Sequence, residues 1–290
     1  MLLLAVFILN ALIRFIPTDA LGADVDPYLA VAVLQLFVFA VPSLIYMKLR
    51  FRDRMPSLRF RLPKSRHIVF TVSAIFVIVL ASALINHGMA SAFPSVYRAS
   101  STAAQAASTA GSFSGGLYAV LTFALVPAVV EEFLFRSIIT AEFECAGVGA
   151  AVFFSSLTFA MSHFNFMRLP VYFVSGLVLV FVLYVTRSVI ASMIVHAATN
   201  TVSLFFEELV YRVVNRQGIV MFVFAAAVLL MIAAVIMFGE AEKIYAYYGA
   251  QNESADYRPR KKERISVLEV VFHPVFIALA VFYIVMGFVS

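Results

Sequence analysis

Long apolar runs separated by short polar stretches dominate the chain, at residues 2–16, 28–47, 68–86, 113–141, 149–166, 169–186, 188–210, 218–238 and 266–288. About 20 apolar residues cross the hydrocarbon layer as a helix, and a helix satisfies its backbone polar groups internally where no water is present. The pattern predicts an all-α, polytopic transmembrane helix bundle of about eight to nine spans. The first run is interrupted by Asn10 and Arg14, so an interfacial or tilted helix is its alternative. It has neither a basic region before it nor a small-residue cleavage site after it, and reads as a retained helix rather than a cleaved signal.

Composition agrees, with 63% hydrophobic and 13% charged residues among 290. A soluble domain carries about 25% charged residues, so a soluble globular protein is excluded. The net charge of +5 does not indicate nucleic acid, because the basic residues lie in loops beside apolar runs, as orientation signals do. Residues 48–67 hold eight Lys and Arg against the single acid Asp53, which makes this loop cytoplasmic. The basic stretch Arg258–Arg264 follows six spans later, on the same side, and the acidic loop Thr18–Pro27 falls outside. The expected topology is N-terminus in, C-terminus out. Cys145, the single cysteine, can form no intramolecular disulfide and receives no role. The Ser/Ala/Gly-rich stretch from Ala90 to Gly116 reads as an external loop, and its GSFSGG, although similar to the serine motif of rhomboid-type proteases, is accounted for by that composition. Residues 240–264 mix charges of both signs and read as a solvated loop.

Against this apolar background, ionisable residues inside spans mark function, since each costs at least about 2.5–3.5 kcal/mol to insert. Span four contains PAVVEEFLFRS, with Glu131, Glu132 and Arg136; span five contains FAMSHFN, with Phe159, His163 and Asn165; span seven contains IVHAATN, with His196 and Asn200. Glu132 and Arg136 are four apart, within ion-pair reach on one helix face, which leaves Glu131 as the freer carboxylate. His196 and Asn200 share that spacing, as do Phe159 and His163, which sets an aromatic wall one turn from an imidazole. Glu131 lies 16 residues before Gly147 and His163 lies 16 after it, so a hairpin turning at Gly147 brings the two to one depth, where they can face each other. Taken singly, each group has a structural reading: an ion pair between helices, or an interhelical hydrogen-bonding histidine. Their joint occurrence in three neighbouring spans favours chemistry.

A desolvated carboxylate and a histidine can hold and deprotonate a water, while a second histidine and an amide supply donors to a developing oxyanion. The set suits hydrolysis of an amide bond presented within the bilayer. Glu131, His163 and His196 are also candidates for a two-histidine, one-carboxylate site for a divalent metal such as zinc, although no H-E-x-x-H motif is present.

The ordered set EEFLFR, FAMSH and HAATN resembles the motifs E-E-x-x-x-R, F-x-x-x-H and H-x-x-x-N of the CAAX-protease and bacteriocin-processing (CPBP, or Abi) intramembrane endopeptidases, which include the Ras-converting type of prenyl-protein protease. YVTRSVIASMIVH, from Tyr184 to His196, is similar to that family's connection into its third motif, and the resemblance covers about residues 115–202. It implies that Glu131 is the general base acting with His163 on a water, that His196 and Asn200 stabilise the oxyanion, and that Glu132, Arg136 and Phe159 support the site. The family has been described both as metal-dependent and as glutamate-dependent without a metal; Asn200 favours the second.

The implied organisation is an N-terminal group of membrane helices over residues 1–112, a catalytic core over 113–210, and C-terminal helices with a basic loop over 211–290. The expected partners are a membrane-associated peptide or protein substrate and the lipid bilayer, in the plasma membrane of a bacterial source or the endoplasmic reticulum of a eukaryotic one. A non-catalytic scaffold or regulator on the same helices is the alternative function, and a transporter, lacking visible repeats, is third. One tension accompanies the topology: counted from Gly147, Glu131 lies about 24 Å from the cytoplasmic turn, in the middle or outer bilayer, whereas prenyl-protein proteases are expected to act from the cytosolic side.

Overall fold

The computed structural model describes residues 1–15, 26–50, 58–94, 113–252 and 265–289. Arg258–Arg264, residues 95–112 of the Ser/Ala/Gly-rich stretch, and the acidic loop up to residue 25 lie outside the described residues. Among the described residues nine apolar helices follow in order: α1 (Leu2–Arg14), α2 (Tyr28–Arg50), α3 (Ser65–Ala92), α4 (Gly115–Ala146), α5 (Val148–Met161), α6 (Leu169–Thr186), α7 (Val189–Gln217), α8 (Ile219–Ala250) and α9 (Pro274–Val289). Five of them, α2, α3, α4, α6 and α8, are long and apolar enough to cross a membrane unaided, and the others are shorter apolar helices. The protein is a multi-pass integral membrane protein, built as a polytopic helical bundle.

Local chemistry sets the helix ends. Asp26 caps α2, its carboxylate accepting the N–H groups of Tyr28 and Leu29 at 2.8 and 3.1 Å. Gly147, at φ 104°, makes the tight turn between α4 and α5 where the sequence places it. The run 266–288 is split, because Pro274 starts a new helix after the short turn Val267–Val271. The mixed-charge stretch expected to be a loop from Glu240 is instead helical as far as Ala250, as the last turns of α8. Glu240 and Lys243 pair there at 2.6 Å across one turn.

The span expected over 149–166 also ends early. The helix stops at Met161, and His163 and Asn165 sit in the loop 162–168 rather than in a helix. Side chains end it: the Ser162 hydroxyl and His163 Nδ1 both bond the Phe159 carbonyl, at 2.7 and 3.0 Å, and Phe164 takes φ 48°.

Two of the long helices contain wide π-turns. In α2 the segment Leu36–Ala40 precedes Pro42, and in α4 the segment Leu121–Leu125 precedes Pro127. Proline has no N–H and its ring crowds the carbonyl four residues back, so a wider turn relieves both. A third π-segment, Phe133–Ile139, follows the two glutamates without a proline. Here hydroxyls serve the displaced backbone: Thr140 and Ser155 both donate to the Phe135 carbonyl, at 2.8 and 3.4 Å.

Two apolar clusters form the interior. One joins α1, α2, α4, α5 and α9 around Phe7, Phe135, Phe159 and Leu279; the other joins α3, α6, α7 and α8 around Phe70, Leu179, Val195 and Met237. The helices α5 and α6 approach closely: a Cβ added to Gly176 would lie 3.0 Å from Ser156 Cα. The polar residues of α4 and α7 sit on the seam between the clusters.

Candidate active site

In α4, Glu131 and Glu132 end a two-turn α segment between two π-segments, and Arg136 lies within the second. Such wide turns recur at functional sites because they re-aim side chains. The Glu132–Arg136 pair expected from spacing is present, with Arg136 Nε 3.0 Å from Glu132 Oε2. Both residues are enclosed, at 0% and 1% exposure. Arg136 further extends Nη2 to the Gly176 carbonyl at 3.5 Å and lies over the Phe159 ring, 4.5 Å from its centroid.

The second oxygen of Glu132 has a partner that spacing did not reveal. His196 Nδ1, from α7, donates to Glu132 Oε1 at 2.9 Å, so one carboxylate joins the arginine of its own helix to the histidine of another. This fixes the imidazole: with the proton on Nδ1, the opposite nitrogen, Nε2, faces Glu131 Oε2 at 4.0 Å. Glu131 Oε2 is buried without a hydrogen bond among the described residues, as is the hydroxyl oxygen of Ser137. The freer carboxylate is Glu131, as the spacing implied.

Phe159 is the centre of the aromatic wall. Its ring meets those of His163, His196 and Phe135 edge-on at 5.1, 5.6 and 5.4 Å between centroids. His163 donates Nδ1–H to the Phe159 carbonyl, since a carbonyl can only accept, and in the neutral ring this leaves Nε2 as an acceptor. Tyr172 of α6 stacks on the same ring at 3.8 Å and 17°. Among the described residues no ion pair joins Glu131 to His163, which lies beyond the end of α5; the ion-pair partner of Glu131 is His196, at 4.0 Å. Asn200 is half-buried on the His196 face of α7 and makes no hydrogen bond among the described residues. Asn165 accepts the Arg168 N–H at 3.0 Å and shapes the loop.

Among the described residues, no three His, Cys, Asp or Glu side chains gather as metal ligands. His163 and His196 each donate Nδ1–H to an oxygen and leave Nε2 open, the orientation a histidine ligand takes, but Glu131, His163 and His196 are not gathered as one ligand set as placed.

Three contributors escaped the sequence reading. Tyr172 left no signal in an apolar run. Asn10 and Arg14 of α1, which reach the loop 162–168, are four apart on one helix face, and that spacing was a usable signal. The depth tension also eases. His196 is seven residues into α7, about 10 Å from its start, whereas α4 has 32 residues, about 48 Å, more than a bilayer's hydrocarbon thickness.

Residues 113–202 match the family described as Type II CAAX prenyl endopeptidase Rce1-like. That stretch holds all three motifs and agrees with the resemblance to the CPBP family drawn from them. No curated protein and no solved structure matches the chain.

Proposed function

We propose that the protein is an intramembrane endopeptidase that hydrolyses a peptide bond of a membrane-associated peptide or protein, with residues 113–210 as its catalytic core. The carrying observation is the Glu131 carboxylate: buried, without a hydrogen bond among the described residues, and 4.0 Å from His196 Nε2, inside the stretch that matches a protease family.

Charge accounting supports the reading. Glu131, Glu132 and Arg136 sum to one negative charge, and a low-dielectric interior favours a neutral set. One added proton, on Glu131 Oε2 or on His196 Nε2, completes it. In the reactive arrangement the proton is on His196 and Glu131 is ionised. A water between Glu131 and the His163 Nε2 acceptor gives one proton to Glu131 as its oxygen attacks the peptide carbonyl. His196 Nε2–H and the Asn200 amide donate to the oxyanion. Collapse breaks the C–N bond, and Glu131 returns the proton to the leaving amine, so one water, one acid and one amine balance. Glu132 and Arg136 keep His196 in the orientation that donates. No step needs a metal.

The side of access follows from charge. Arg59, Arg61, Lys64, Arg66 and Arg187 occupy the end where α3 and α7 begin, which the positive-inside rule makes cytoplasmic; a cysteine-accessibility scan of the loops tests this. The function is tested by mapping membrane and secreted peptide termini from cells expressing the native protein or an equally abundant Glu131→Gln variant. Termini found only with the native protein are expected. Matching profiles with a surviving phenotype would leave the scaffold reading in its place.

A further inference from the structure

The C-terminal end of α5 has a complete backbone account. A helix leaves its last four carbonyls without intrahelical partners, and in a bilayer none can be left to water. Ser162 N–H serves the Thr158 carbonyl at 3.1 Å, the Ser162 hydroxyl and His163 Nδ1 serve Phe159, and the N–H groups of His163 and Phe164 serve Ala160 and Met161 at 3.3 and 3.1 Å. The next two carbonyls are served from a different helix. Asn10 Nδ2 donates to the Ser162 carbonyl and Arg14 Nη2 to the His163 carbonyl, both at 2.7 Å.

These two bonds cross about 150 residues of sequence and seize consecutive peptide units at the point where Phe164 turns the chain through φ 48°. The Phe164 ring is held on the same helix, edge-on to Phe7 at 5.4 Å and under the Arg14 guanidinium at 5.3 Å. Charged and amide side chains are expensive in an apolar helix, yet both are spent on the backbone beside one histidine. Charge-assisted bonds of this kind are among the stronger ones. Because the His163 ring is tied to the Phe159 carbonyl one turn back, fixing the peptide units on either side fixes which way Nε2 points.

We propose that Asn10 and Arg14 are positioning residues: α1 clamps the Ser162 and His163 carbonyls and thereby sets the tautomer and direction of the His163 imidazole. The clamp is argued from geometry alone; its effect on cleavage rests on the protease reading above.

The test uses the full-length protein with ¹⁵N-labelled histidine rings in lipid nanodiscs. Ring signals are assigned by His163→Gln and His196→Gln, so that His196, held by Glu132, serves as an internal reference. The native protein is expected to give His163 as one Nδ1–H tautomer. Asn10→Ala and Arg14→Ala, singly and together, are expected to split or broaden that signal while His196 keeps its own. Arg14→Lys restores most of it, and Val6→Ala, which loosens the buried face of α1 without touching either bond, leaves it unchanged. An unaltered His163 signal in the double variant overturns the proposal, as does a parallel change in His196 or the same loss in Val6→Ala, either of which makes α1 merely structural. In cells, Arg14→Ala at equal abundance is expected to lower the Glu131-dependent termini about tenfold, within the span a positioned acid–base group contributes. If the native protein yields no such termini, the protease reading fails while the ring signals still judge the clamp.

Discussion

Among the described residues two Glu–Arg pairs lie inside the bundle and are built differently. At the basic end, Arg59 Nη2 meets Glu144 Oε1 at 2.8 Å, the Tyr184 hydroxyl donates to the same oxygen at 2.8 Å, and the guanidinium lies 5.3 Å from the Tyr184 ring. The Arg59 carbonyl also accepts the Val189 N–H at 3.0 Å, so this network ties the loop before α3 to the end of α4 and the start of α7. In the seam, Glu132 likewise joins Arg136 to His196, but a second carboxylate, Glu131, stands beside it with an oxygen that no donor satisfies among the described residues. A network whose charges balance holds elements together; one with a surplus carboxylate has a group left over for chemistry.

Substitutions break the comparison in order of size. Glu131→Gln is expected to lower cleavage by about 10²–10⁴, the span of a general base, while thermal melting stays near native, since the amide replaces a carboxylate that makes no hydrogen bond among the described residues. Cleavage that survives in this variant removes Glu131 from the mechanism. Arg136→Ala leaves Glu132 as a buried, uncompensated charge and is expected to cost about 3–5 kcal/mol, read as a large loss of melting temperature together with activity. Gly176→Ala presses a methyl group against Ser156 and is expected to cost about 1–3 kcal/mol with activity per folded molecule retained. Tyr184→Phe removes one hydrogen bond from the basic-end network and is expected to cost about 0.5–1.5 kcal/mol, with cleavage unchanged. The smallest expected effect is that of a chelator, which should leave cleavage where it was; loss on chelation, restored by one divalent ion, would overturn the metal-free mechanism.

Much of this was legible in the sequence because membrane chemistry leaves a strong trace. The apolar runs predict the helices, the four-residue spacing predicts Glu132 with Arg136, and Gly147 marks the turn between α4 and α5. What escaped depends on interactions that periodicity does not encode. The π-turns answer to Pro42, Pro127 and the hydroxyls of Thr140 and Ser155. The early end of α5 answers to Ser162 and His163 competing for one carbonyl. The bond from His196 to Glu132 joins residues 64 apart, and only the packing of α7 on α4 brings them together.

The brevity of two helices has a consequence for the surrounding lipid. With 13 and 14 residues, α1 and α5 are each about 20 Å long, and both terminate at the 162–168 loop, where Arg14 meets His163. A hydrocarbon layer of about 30 Å is thus too thick for this flank, and such mismatch is relieved by local thinning of the bilayer. The leaflet that meets the loop 162–168 is expected to be drawn down toward it.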